Sequence, residues 1–306
     1  MTEHVLWTDV APRDGLQNIS STVSIADKVR LIRGLLDAGI ERVEATAFVS
    51  PQWVPQLADA ADVLEALGDV TPRLRVLIPN FRGLELALQH GVRNVLVTIG
   101  ATDSFNRRNV NRSVSESLDD IERIVERARQ SGCQVDVALS VSFGCPYEGR
   151  VAPSRVAELC DALQQRGVDE IGVADTIGVA TPAAVTEMCA MVRVAKDRLS
   201  LHVHDTRGLG VANVVAAYES GVRRFDGSVG GVGGCPFAPR STGNVCTEDA
   251  LQALVSLGAE TPADIASLCD VAESLARVLE RELPGKLYRA GVWTGEPVST
   301  VETKVG

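Results

Sequence analysis

The chain has 306 residues, of which 45% are hydrophobic and 23% charged, with a formal net charge of −10. Such a chain buries a sizeable core, in one large domain or two small ones, and is not intrinsically disordered. Its acidic balance argues against nucleic acid or an anionic membrane as the main partner, although a local basic cluster can still hold a small anion.

A first strand is expected over 5–10 (VLWTDV), ending in "APRDGLQN", where Arg13 and Asp14 stand against Gly15. A helix follows in "SIADKVRLIRGLLDAG", with Ser24 as its N-cap, Val29, Ile32, Leu35 and Leu36 along one face, and Gly39 closing it. Strands come next at 42–48 (RVEATAF), 74–79 (LRVLIP) and 94–99 (NVLVTI). The basic run "NRRNVNR" (106–112) reads as a solvated loop. The helix "SESLDDIERIVERARQSG", a strand at 135–142, the turn "GCPYEG" and the helix "APSRVAELCDALQQRG" follow in order. The last three strands are 170–174, 200–204 and 224–229. "TEDALQALVSLG" then serves as the eighth helix, and "TPADIASLCDVAESLARVLER" is an additional one.

Four times a helix closes on glycine and a strand follows within a few residues, as in "AGIERVEA" and "HGVRNVLV". Eight strand–helix units in roughly 250 residues predict an α/β fold, a (β/α)8 barrel. The competing open doubly wound sheet often carries G-x-G-x-x-G after its first strand, which "APRDGLQN" does not match. The expected organisation is a catalytic barrel over 1–260, with a C-terminal helix and tail, 261–306, packed on it.

Seven scattered cysteines, with no Cys-x-x-Cys pair, argue against a disulfide framework or a zinc knuckle and for a reducing compartment. The opening "MTEHVLW" does not read as a secretory signal, and no apolar run approaches the ~20 residues of a membrane span. The expected location is therefore cytoplasmic.

In a (β/α)8 barrel the chemistry gathers at the carboxyl ends of the strands. His202 and His204, two of only four histidines, share one face of a strand. With Asp14 they offer a mixed nitrogen and oxygen donor set suited to Mn²⁺, Mg²⁺, Co²⁺, Fe²⁺ or Zn²⁺. Arg13 is either half of a surface ion pair or a cation that stabilises charge developing on a carbonyl oxygen. Glu44, costly inside an apolar strand unless paired, has Arg13 as its expected partner. Asp175 either shapes the turn in "DTIG" or joins the site. The stretch "GSVGGVGGCPFAPRSTGN" is either a flexible surface loop or a lid that carries Cys235 as an acid or base. The basic run is either solvated or, through Arg107, Arg108 and Asn109, a cradle for the phosphates of a bulky anionic cofactor tail.

The stretches "RDGLQN" (13–18), "EATAFVSPQWVPQ" (44–56), "GCPYEG" (144–149), "DTIGV" (175–179), "HVHDT" (202–206), "GGVGGCPF" (230–237) and "GNVCTED" (243–249) together resemble the 3-hydroxy-3-methylglutaryl-CoA lyase family. That family lies within the metal-dependent lyases and Claisen-type synthases built on this barrel. The resemblance implies retro-Claisen cleavage of a 3-hydroxyacyl-CoA to acetyl-CoA and a keto product such as acetoacetate. It implies Mg²⁺ or Mn²⁺, coenzyme A as part of the substrate, and a homodimer. It also implies Asp14, His202, His204 and Asn244 as metal ligands, and Arg13, with Glu44 as its partner, polarising the thioester carbonyl. Cys235 would deliver a proton, with Asp175 and Gln17 as further site residues. Ala47, Gly172, Arg207, Leu209 and Arg240 depart from the family's usual residues. They leave the catalytic set intact and put the acyl group in question, with citramalyl-CoA as an alternative. A condensing synthase of the same group and a catalytically silent binding barrel are the other readings; retention of the whole ligand set weighs against the last.

Overall fold

A computed structural model describes residues 4–19, 21–234 and 243–293. Eight parallel strands close into one barrel: β1 (Leu6–Asp9), β2 (Arg42–Ala47), β3 (Leu74–Leu77), β4 (Asn94–Gly100), β5 (Gln134–Ser140), β6 (Glu170–Asp175), β7 (Leu199–Val203) and β8 (Arg224–Gly227). Each strand pairs with its neighbours in sequence, and β1 closes the ring on β8 through pairs such as Thr8 with Asp226. All eight expected strands are present, each with ends within two residues of those expected.

Among the described residues the helices are α1 (Ile25–Asp37), α2 (Ala60–Leu67), α3 (Phe81–Gln89), α4 (Asp103–Val110), α5 (Val114–Gln130), α6 (Pro153–Gln165), α7 (Pro182–Met191), α8 (Gly210–Glu219), α9 (Thr247–Ser256), α10 (Ile265–Val278) and α11 (Leu287–Ala290). Ser24 caps α1 as expected, its side chain accepting from the Asp27 N–H. The helix expected in "SESLDD" begins slightly earlier, because Ser113 and Glu116 close a reciprocal capping box there. None of these helices is long and apolar enough to cross a membrane.

The basic run 106–112 is not the expected loop. Most of it is α4, ending at Asn111 in a left-handed conformation. Asn106 is the reason. Its fully buried amide donates to Arg112 O, Ser113 O and Ser117 Oγ, while its Oδ1 accepts from the Gly100 N–H. One buried side chain thus fastens α4 to the end of β4 and the start of α5.

The outer face of the barrel is apolar and packs under the helices; Trp7, Phe225, Ile32 and Leu35 are all fully or almost fully buried. The lumen is polar. Arg42 reaches across it to Asp136 at 3.1 Å and Glu170 at 2.8 Å, and Arg224 adds a bond to Glu170 at 2.9 Å. Arg75, 1% exposed, sits above them between Glu44 and Asp226. Isolated charges could not survive such burial, and these persist because each faces an opposite one.

Candidate active site

Beyond β1 the chain makes a single π-type turn over Ala11–Gly15, in which the Gly15 and Leu16 N–H groups bond five residues back. The turn projects Arg13 and Asp14 at the carboxyl rim. Gly15 is needed there because a β-carbon would meet Val232 Cγ1 at 2.7 Å. Strand β7 brings His202 and His204 to the same rim, their rings 5.2 Å apart. A donor atom from each of Asp14, His202 and His204 lies within 4.8 Å of the others. Asn244 pairs with His204 in a one-residue antiparallel bridge, and its Nδ2 donates to Asp14 Oδ2 at 2.8 Å. The structure therefore brings all four expected ligands together.

Two buried lone pairs in this cluster, His204 Nδ1 and Asn244 Oδ1, have no hydrogen-bond partner among the described residues. A buried acceptor without a donor is costly, and a cation removes that cost. Burial, reinforced by neighbouring His202, lowers the pKa of His204 to about 4, so its imidazole is neutral as a metal ligand must be. Burial works against ionisation of Asp14 as well, but Arg13, the two histidines and the Asn244 bond outweigh it and hold the carboxylate below its usual range. Burial likewise opposes charge on His202, whose pKa nevertheless rises because Asp226 and Asp14 face it. The donor set and its charge fit a hard divalent ion.

Arg13 is held on both sides. Its Nε donates to Glu44 Oε1 and its Nη1 to Asp14 Oδ1 at 2.7 Å. This buried pair is not the exposed one that a plain surface turn at "RDG" would give. Gln17 donates to Asp14 Oδ1 at 2.6 Å, so it orients the carboxylate. Asp175 uses both oxygens on its own turn, accepting from the Val179 and Ala180 N–H groups at 2.8 and 2.9 Å. Burial raises its pKa above the ordinary value. Arg107, Arg108 and Asn109 are exposed on α4, outside this cluster, with the Arg108 guanidinium 4.1 Å from the centre of the Tyr147 ring. Cys235 lies outside the described residues. The glycine segment leading to it packs on the cluster: a β-carbon at Gly233 would meet Asn244 Nδ2 at 2.8 Å, and Gly234 O accepts from Asn18 at 2.9 Å.

Two residues of the site were not expected from the sequence. Asp226 faces His202, its Oδ2 3.7 Å from Nδ1, and Arg75 lies behind it. The signal was a charged residue at a lumen-facing position of each short strand, "LRVL" and "RFDG". Asn244 was found only through the family resemblance, since an asparagine after a glycine carries no metal signature of its own.

The HMGL-like family model matches residues 4–275. An (R)-citramalyl-CoA lyase of Chloroflexus aurantiacus is 39% identical over 94% of this chain and 95% of its own length. A mitochondrial hydroxymethylglutaryl-CoA lyase of Bos taurus is 40% identical over 94% of this chain and 90% of its own. The solved structure of an HMG-CoA lyase of Acinetobacter baumannii, in complex with coenzyme A and 3-methylmalate, superposes with a TM-score of 0.89 at 34% identity, covering 97% of this chain and 98% of that one. A barrel that carries this rim cluster, matched along nearly its whole length, belongs to the HMGL-like family.

Proposed function

We propose that this chain is a divalent-metal-dependent carbon–carbon lyase that cleaves a 3-hydroxyacyl-CoA, 3-hydroxy-3-methylglutaryl-CoA or a close analogue, to acetyl-CoA and a keto acid such as acetoacetate. The observation that carries the reading is the convergence of Asp14, His202 and His204 beside an arginine already locked by Glu44. The two relatives described above act on branched or hydroxylated acyl-CoA thioesters by their names, and the Acinetobacter neighbour holds coenzyme A together with a small hydroxy diacid.

Asp14, His202, His204 and Asn244 would hold the ion, Mg²⁺ or Mn²⁺, which supplies Lewis acidity toward the substrate's 3-hydroxyl and carboxylate oxygens. Breaking the C–C bond leaves an electron pair on the thioester's α-carbon as an enolate. Arg13, fixed by Glu44 and Asp14, presents a guanidinium N–H to the enolate oxygen, and it needs no reorganisation as the charge grows. Asp175 is suited to take the 3-hydroxyl proton, since burial raises its proton affinity above the ordinary carboxylate value despite the nearby charge of His202. Cys235 is the proton donor to the α-carbon in this reading. Arg107, Arg108 and Asn109 would receive the coenzyme A phosphates. Six unpaired, buried cysteines among the described residues support a reducing, cytoplasmic setting.

The identity of the acyl group is tested by a panel of 3-hydroxyacyl-CoA thioesters assayed for acetyl-CoA release with Mg²⁺ or Mn²⁺. The expected best substrate is 3-hydroxy-3-methylglutaryl-CoA. Preference for citramalyl-CoA would fit the Chloroflexus relative and move the assignment within the family. Cleavage indifferent to a chelator would reject the metal role.

A further inference from the structure

Arg75 on β3 has no place in the chemistry above, yet its guanidinium stands between the two halves of the site. Its Nε and Nη2 lie 2.8 and 2.7 Å from Glu44 Oε2, and Nη2 also lies 2.7 Å from Asp226 Oδ2. Both carboxylates also face the rim. Glu44 Oε1 accepts from Arg13, and Asp226 Oδ2 is 3.7 Å from His202 Nδ1. Below, Arg75 Nη1 faces Asp136 and Glu170 at 3.9 and 3.8 Å.

We propose that Arg75 is a positioning residue that ties the imidazole of His202, through Asp226, to the guanidinium of Arg13, through Glu44, so that ion and enolate stabiliser hold one geometry. The inference rests on the metal reading given above. A carboxylate facing Nδ1 of a ligating histidine fixes the ring's tautomer and orientation and leaves Nε2 to the ion. Asp226 performs this only if it is itself held, and Arg75 is what holds it. The same planar fork holds Glu44, so displacement at one carboxylate moves the other. A lysine would carry the charge but, as a point donor on a flexible stem, could not bind both carboxylates in fixed directions. The alternative is that Arg75 only neutralises buried carboxylates, and then any cation would serve.

The two differ in what Arg75→Lys does. Titration calorimetry of the metal-free protein with Mn²⁺ should show about tenfold weaker binding in the variant, the scale of a lost outer partner. At saturating Mn²⁺, kcat should also fall about tenfold while KM changes little, because Arg13 has lost its alignment. A folded Arg75→Lys protein with unchanged Mn²⁺ affinity and kcat overturns the proposal. Should that variant not fold, a second measurement decides with Arg75 intact. Glu44→Gln and Asp226→Asn are each expected to weaken Mn²⁺ binding severalfold, and the double variant by less than the product of the two, since both act through one guanidinium. Multiplicative effects overturn the coupling. Failure of the unmodified chain to bind Mn²⁺ at all would instead overturn the metal reading, and this inference with it.

Discussion

At the floor of the barrel, Arg42 meets Asp136 at 3.1 Å and Glu170 at 2.8 Å, and Arg224 meets Glu170 at 2.9 Å. At the rim, one strand-length away, His204 Nδ1 and Asn244 Oδ1 are buried with nothing to bond among the described residues. Both regions are buried and polar, and both draw on residues that alternate along parallel strands. The floor closes its charges on one another and is a structural device; Arg42 and Arg75 outweigh the burial of Glu170 and hold its pKa below the usual range, while burial and the neighbouring Glu170 lift Asp136 to about 7 against the same two arginines. The rim leaves donors open and close to a common point, which is how a binding site differs from an ionic core.

The sharpest way to break this contrast is to remove a donor at each level. His204→Ala should lower turnover by about 10³-fold, the loss of several kcal/mol of charge stabilisation. It should leave the thermal midpoint within a few degrees, as the Nδ1 lost with the ring bonds nothing among the described residues. Near-normal turnover with Mn²⁺ would remove His204 from the site. Arg42→Met should do the reverse. Stranding Asp136 and Glu170 is expected to cost about 3–5 kcal/mol in urea denaturation, with kcat altered less than tenfold. A floor variant that lost activity while keeping its stability would erase the distinction between the two regions.

The strands and most helices were legible because their signals are local. Ser24 caps, Gly39 and Gly167 terminate, and apolar residues recur at the right period. The residues of the rim were legible in part, since two histidines at alternate positions of a strand must share a face. What stayed hidden depends on contacts distant in sequence. Helix α4 has a low mean hydropathy and reads as a loop; it forms because Asn106 is tied to Arg112, Ser113, Ser117 and Gly100. Asp226 and Arg75 are 151 positions apart, and neither residue alone announces the other. For Asp175 the sequence offered both a turn and a site role, and only the backbone bonds to Val179 and Ala180 show it engaged in its own turn.

A third carboxylate sharpens the comparison through pH. Asp9, at the end of β1, accepts from the Ala11 N–H and the Thr247 hydroxyl, and burial raises its pKa to about 7. Because the folded value lies above the unfolded one, its contribution to stability is fullest at low pH. That contribution is lost as pH rises through the interval up to about 7. Between pH 5.5 and pH 8 this one group should cost the folded state on the order of 2 kcal/mol. Asp9→Asn should flatten that part of the stability curve in urea titrations at the two pH values. An equally steep curve in the variant would assign the slope to another group, of which Glu248 and Asp136, both also raised to about 7 chiefly by burial, are the candidates.

The smallest expected effect lies outside the cluster, at α4. Arg107 and Arg108 are exposed in its last turn, where cations also complement the helix dipole. Exposed charges on a phosphate are worth little each, so Arg107→Ala with Arg108→Ala should raise KM for the CoA thioester about tenfold, equivalent to about 1.4 kcal/mol. The rise should shrink as salt is added, because screening already weakens the wild-type contact. The Mn²⁺ affinity and kcat should stay as they are, since neither arginine touches the rim donors. A KM that does not move would leave the run as no more than a solvated helix face. A fall in kcat instead would mean that α4 positions the reacting end of the substrate, and the separation between anchoring surface and reacting rim would have to be redrawn.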